Sequence, residues 1–239
     1  MATTVSFKNA ASAPATGALA EPAGTDKVGG LILVQEWWGV NAHIQSIADR
    51  LAAEGFLTLA PDLYQGKFAR DAAEAQQMMQ SLDRARAMSD IRGAFGYLAA
   101  HPRCNGRVGA IGFCMGGAYT LATVATIPAL ACGVAFYGLP DPSLSWDKAR
   151  APVQAHFSRT DGWATPAGAE KIQAALAEHH VPMELHVYDA QHAFMNQAEL
   201  PIEMLRPHIV LEEIEPKAMH AVVDECLPQQ QKARRPPAS

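Results

Sequence analysis

The sequence predicts an α/β fold built on a mainly parallel, twisted sheet with helices on both faces. Three observations carry the prediction. Short apolar runs bounded by glycine or proline alternate with helical stretches through most of the chain, the pattern of strands buried on both sides. The 239 residues suit one open sheet, and neither an internal repeat nor a linker divides them. A glycine-flanked cysteine lies at the junction of one such run with one such helix, where sheets of this class place reactive groups.

The elements follow in order. Residues 29–36, GGLILVQE, are an apolar run led by two glycines and read as a buried strand. Asn41 caps a helix over about 42–54, with Ile44, Ile47, Ala48 and Leu51 on its apolar face and Gly55 at its end. FLTLAP at 56–61 is the next strand, stopped by Pro61, and helical stretches follow near 71–81 and 83–100. RVGAIGF at 107–113 is a strand that runs into a helix starting near Met115. LACGVAFYG at 130–138 and APVQAHFS at 151–158 are further strands. PAGAEKIQAALAEHH at 166–180 is a helix with Pro166 in its first turn, and MELHVYD at 183–189 is the last clear strand. Between 197 and 227, Pro201, Pro207 and Pro216 break any helix or delay it to about 216. The terminal QQQKARRPPAS is polar, basic and proline-rich, so residues 1–228 read as one domain and 229–239 as a disordered tail.

Bulk properties narrow the partners. The residues are 49% hydrophobic and 18% charged, with a net charge of −5, which lacks the basic surface that nucleic acid or an anionic membrane requires. No apolar run approaches a bilayer span, and the N-terminal MATTVSFKNAAS has no basic start followed by an apolar core. Cys104, Cys114, Cys132 and Cys226 are scattered singly, with no CxxC pair and no zinc-ligand spacing. The expectation is a cytoplasmic protein with free thiols, needing no metal or organic cofactor and acting on a small molecule as a monomer or small homo-oligomer.

The strongest signal is Gly112-Phe113-Cys114-Met115-Gly116, followed by Gly117. It has the form glycine, any residue, nucleophile, any residue, glycine, between a strand and a helix. A turn this tight requires small residues two before and two after the nucleophile. The helix N-terminus adds free N–H groups and a positive dipole end, both favourable to a thiolate and to a developing oxyanion. Partners in the order nucleophile, acid, histidine are expected after later strands. Asp161, in SRTDGW, and His192, in DAQHAF, occupy such loops. Singly, Asp161 reads equally well as an Asp-Gly turn and His192 as a solvated histidine; the ordered set is what carries weight. His156 and His186 fall inside strands, and His179 and His180 end a helix. Asp189 is the best alternative acid, but it stands close to His192 in sequence.

With these residues the chain resembles the dienelactone hydrolase (carboxymethylenebutenolidase) family, from about Leu31 to Asn196, in QEWWGVNAHIQSIADRLAAEGF, LAPDLYQGK, GFCMGG, FYG, SRTDG and AQHAF. The resemblance implies an α/β-hydrolase core of about eight strands without a large lid. It implies Cys114 as nucleophile, His192 as base, Asp161 as the residue orienting the imidazole, and Glu36 as a glutamate that helps to activate the cysteine. It also implies an oxyanion hole from the backbone N–H groups of Trp37 and Met115. Trp38, Tyr137, Trp163 and Phe194 adjoin these segments and are candidates to line an aromatic pocket. The family grips a substrate carboxylate with arginines. Asn196 stands where one of them is expected, and Arg70 is the nearest candidate for the other.

The chemistry implied is cleavage of an activated ester or enol lactone through a thioester on Cys114. The rivals are a broader carboxylesterase or thioesterase on the same scaffold, and a thiol redox sensor built on Cys114.

Overall fold

A computed structural model describes residues 1–195. The expectations for 197–227 and for the tail at 229–239, together with Asn196 and Cys226, lie outside the described residues.

One eight-stranded sheet organises them. Strands β1 (Thr3–Lys8) and β2 (Pro14–Ala20) form an antiparallel hairpin at one edge. The others are β3 (Val28–Val34), β4 (Leu57–Pro61), β5 (Cys104–Phe113), β6 (Gly133–Phe136), β7 (Val153–Ser158) and β8 (Met183–Tyr188). Their spatial order is β1-β2-β4-β3-β5-β6-β7-β8; β2 pairs antiparallel with β4, and every pair from β4 to β8 is parallel. Every residue of β3 and β4 is buried, which is why both read as largely apolar runs, broken only by Thr58 in β4, rather than alternating ones.

The helices are α1 (Ala42–Ala53), α2 (Ala72–Gln80), α3 (Arg84–Ala100), α4 (Met115–Thr126) and α5 (Pro166–Glu178). Side chains fix four of their starts: Asn41, Asp71, Asp83 and Thr165 each accept a first-turn backbone N–H. In α1, Ile44, Ile47, Ala48 and Leu51 are buried, as their spacing predicts. Because β4 and β5 flank β3 on opposite sides, right-handed crossovers put α1 on one face and α3, α4 and α5 on the other.

The β1–β2 hairpin extends the sheet beyond the six strands that periodicity marks. It is fastened to α3 by Asn9, whose Nδ2 donates to Asp90 at 2.7 Å while its Oδ1 accepts the N–H groups of Ala11 and Ala13. Desolvation raises the Asp90 pKa, against the lowering effect of the Asn9 hydrogen bond and of Arg86. No helix among the described residues is long and apolar enough to cross a membrane.

Candidate active site

The strand order reverses around β3 and β5, and the C-terminal ends of the parallel strands there are where an open sheet leaves a crevice. Glu36 and Trp37 follow β3, Cys114 follows β5, Tyr137 follows β6, Asp161 follows β7 and His192 follows β8. Five strand ends thus deliver their side chains to one edge.

Cys114 sits in the turn between β5 and α4 with φ 55° and ψ −118°, a conformation that costs a non-glycine residue of order 1–3 kcal/mol. The neighbours explain how it is held. A side chain at Gly112 would run into the Gly116 carbonyl, and one at Gly116 into the carbonyl of Val34. The turn can therefore press against β3 only with glycine at both places. Cys114 N–H donates to the Phe136 carbonyl at 3.0 Å, and its own carbonyl accepts Ala118 N–H at 3.2 Å.

His192 Nε2 lies 3.3 Å from Cys114 Sγ, and its Nδ1 lies 2.6 Å from Asp161 Oδ2. Asp161 is buried, and its other oxygen accepts the N–H groups of Trp163 at 2.8 Å and Ala164 at 2.9 Å. Those two amides fix the carboxylate. The carboxylate then receives Nδ1–H, which leaves Nε2 as the acceptor facing the thiol. Asp189 is turned elsewhere: it pairs with Arg159 at 2.6 Å on the exposed surface. That pair, Arg159 N–H on the Tyr188 carbonyl at 2.8 Å and Thr160 Oγ1 on the Ala190 carbonyl at 2.5 Å join the loop of Asp161 to that of His192.

Glu36 is buried and accepts from the Tyr137 hydroxyl at 3.4 Å. Met115 opens α4, so its N–H belongs to the first turn, where no intrahelical acceptor exists. A pocket of about 400 Å³ is lined by Glu36, Trp37, Cys114, Asp161, Trp163 and His192, among others. Trp163 is 71% exposed, stands edge-on to Trp37 at 6.3 Å and lies 5.9 Å from the His192 ring.

Other predicted pocket residues fall elsewhere. Trp38 packs edge-on against Trp37, off the pocket wall. Tyr137 is buried behind the site, 5.2 Å from the His192 ring, and Phe194 is core, packed on Phe136, Tyr137 and Tyr188. Arg70 lies on an exposed groove with its Nε 3.0 Å from Glu74 one helical turn on, so the structure does not bring it to the pocket. Thr160, Gly162 and Gln191 line the wall without having been singled out. Their signal was adjacency, since each directly neighbours Asp161 or His192 in the chain.

The model of the dienelactone hydrolase family matches residues 15–213. The chain belongs to that family. At this level it is a carboxylic ester hydrolase of the lactone- and ester-cleaving kind. It is 31% identical over 176 residues to the carboxymethylenebutenolidase of Pseudomonas sp. strain P51, an alignment spanning 69% of this chain and 73% of that one. A solved dienelactone hydrolase-like promiscuous phosphotriesterase from metagenomic libraries superposes with a TM-score of 0.77 at 23% identity, covering 93% of this chain and 96% of the other. That likeness bears on the fold, an α/β-hydrolase sheet. Sequence and structure therefore agree on architecture, and the family rests on the sequence match.

Proposed function

We propose that the protein opens activated esters or enol lactones with Cys114 as nucleophile, through a thioester intermediate. The observation that carries this reading is the continuous chain from Asp161 Oδ2 through the His192 ring to Cys114 Sγ, at 2.6 and 3.3 Å.

His192 Nε2 takes the thiol proton, and the sulfur attacks the carbonyl carbon. The resulting oxyanion is received by the N–H groups of Trp37 and Met115. Collapse breaks the C–O bond of the ester or ring, the leaving oxygen takes the proton from the imidazolium, and a thioester remains on Cys114. Water, deprotonated by His192, then attacks the thioester and releases the acid and the thiol. Asp161 keeps the tautomer and balances the imidazolium charge. Glu36, buried and lining the same pocket as Cys114, assists formation of the thiolate. Trp37 and Trp163 offer aromatic surface to the substrate.

A second reading, a broader carboxylesterase, is favoured by the charges. The charged side chains among the described lining residues are the acids Glu36 and Asp161, while Arg70 is held by Glu74 on the surface. Such a wall suits neutral substrates better than carboxylated ones. Hydrolysis of cis- and trans-dienelactone against p-nitrophenyl acetate, with Cys114→Ala alongside, separates the readings. Cys114-dependent turnover of the dienelactones supports the lactonase. Turnover of the neutral ester alone supports the broader esterase. Activity retained in Cys114→Ala sinks both.

A further inference from the structure

The two proposed oxyanion donors are backbone groups, so their aim depends on what grips the peptide planes. Gln35 lies between the end of β3 and Glu36 and is completely buried. Its Oε1 accepts the Leu63 N–H at 3.1 Å, and its Nε2 donates to the Glu36 carbonyl at 3.4 Å. The Gly39 N–H reaches the same carbonyl oxygen at 3.3 Å. In a trans peptide the carbonyl oxygen and the following N–H point to opposite sides of one plane. A side chain that holds the Glu36 oxygen therefore aims the Trp37 N–H.

The anchor is itself built. The loop after β4 is fixed by Asp62, whose carboxylate accepts the N–H groups of Tyr64 at 3.0 Å and Gly66 at 2.5 Å. Tyr64, buried in the same loop, directs its hydroxyl to Met115 Sδ at 3.6 Å. One loop thus buttresses both residues whose amides are the proposed donors, and Gln35 is its link to the first. A fully buried carboxamide is costly unless both of its ends are bonded, and here both ends are.

We infer that Gln35 is a positioning residue of the oxyanion hole: anchored on Leu63, it orients the Glu36–Trp37 peptide so that the Trp37 N–H faces the tetrahedral intermediate. This rests on the reading of Cys114 as nucleophile and Trp37 N–H as donor. Its consequence is specific to steps that develop an oxyanion, and leaves the thiol's other chemistry alone.

The test compares wild type with Gln35→Met, which keeps the length of the side chain and removes the amide. Three quantities are read: kcat and KM for p-nitrophenyl acetate, inhibition by an alkyl trifluoromethyl ketone, whose thiol adduct carries an oxyanion, and alkylation of Cys114 by iodoacetamide, which forms none. The expected result is a fall in kcat of about tenfold or more, with an equal loss of trifluoromethyl ketone affinity. KM and the alkylation rate stay within about twofold. Should the methionine variant fail to fold, Gln35→Leu, which also removes the amide without burying a charge, should give the same split. Unchanged turnover and ketone affinity, or an alkylation rate that falls in step with turnover, would overturn the role of Gln35 alone. Wild-type turnover that survives complete alkylation of Cys114 would overturn the nucleophile reading and this inference together.

Discussion

Two histidines, one inside β7 and one in the loop after the neighbouring β8, make opposite use of the same ring. His192, in the loop after β8, is partly exposed, with one nitrogen on a carboxylate and the other on a thiol. His156, inside β7, is 1% exposed and stacked between Phe136 at 4.5 Å and His186 at 4.9 Å. Its nitrogens meet the Tyr188 hydroxyl at 2.8 Å and Gln154 Oε1 at 3.1 Å, both neutral groups. Burial, with the nearby His186 adding to it, pushes the His156 pKa from 6.5 down to about 3. The same side chain is thus set between a carboxylate and a thiol beyond the strand end and locked neutral within the strand. What decides is whether a charged partner and a route to solvent are supplied.

The comparison can be broken most severely at the thiol. Cys114→Ala should lower ester turnover at least ~10³-fold while leaving the unfolding midpoint near that of wild type, measured by steady-state kinetics and thermal denaturation. Next is Asp161→Asn, which replaces the acceptor of Nδ1–H by an amide that can donate, and so destabilises both the useful tautomer and the imidazolium. A kcat loss of about 10²–10⁴-fold is expected; a loss under threefold would mean that the carboxylate is not the orienting group.

The buried histidine should respond through stability instead. His156→Phe keeps the stack but strips the Tyr188 hydroxyl and Gln154 of a partner, costing about 1–3 kcal/mol at neutral pH in urea denaturation. The pH dependence sharpens the contrast. Between 6.5 and about 3 the unfolded chain binds a proton at this residue that the folded chain refuses. Its contribution to stability is therefore full above 6.5 and lost as pH falls toward 3, by up to about 1.4 kcal/mol per pH unit. Denaturation curves at a series of pH values should show that slope in wild type and less of it in His156→Phe. Equal slopes would remove His156 as its source. Smallest of all is Arg70→Ala: with the guanidinium on Glu74 and away from the pocket, p-nitrophenyl acetate turnover should stay within about twofold.

The cluster of Cys114, Asp161 and His192 was legible because spacing and order encode it. Glycines on both sides of Cys114 are what its crowded turn requires, and Asp161 and His192 stand in loops behind strands whose apolar runs are plain. Six strands could be read for the same reason. The β1–β2 hairpin could not, since PATGALA is rich in alanine, with a glycine and a proline, and shows no polar–apolar alternation, and no crossover helix marks the join. Edges blurred where pairing rather than composition sets length: the run at 130–138 pairs only over Gly133–Phe136. Gln35 was hidden because its partner Leu63 is 28 residues away. Arg70 carried a local warning, a glutamate four residues on, which outcompeted the pocket for its guanidinium. Phe194 shows the limit of adjacency, since a residue two places from His192 points into the core.

The most direct measurement is peptide mass spectrometry of the enzyme quenched with acid during steady-state turnover of p-nitrophenyl acetate. The account predicts one acetyl group on the peptide bearing Cys114, absent from Cys114→Ala and discharged by hydroxylamine at neutral pH, as a thioester should be. An acetyl group on another residue that turns over at the catalytic rate, with Cys114 unmodified, would contradict it.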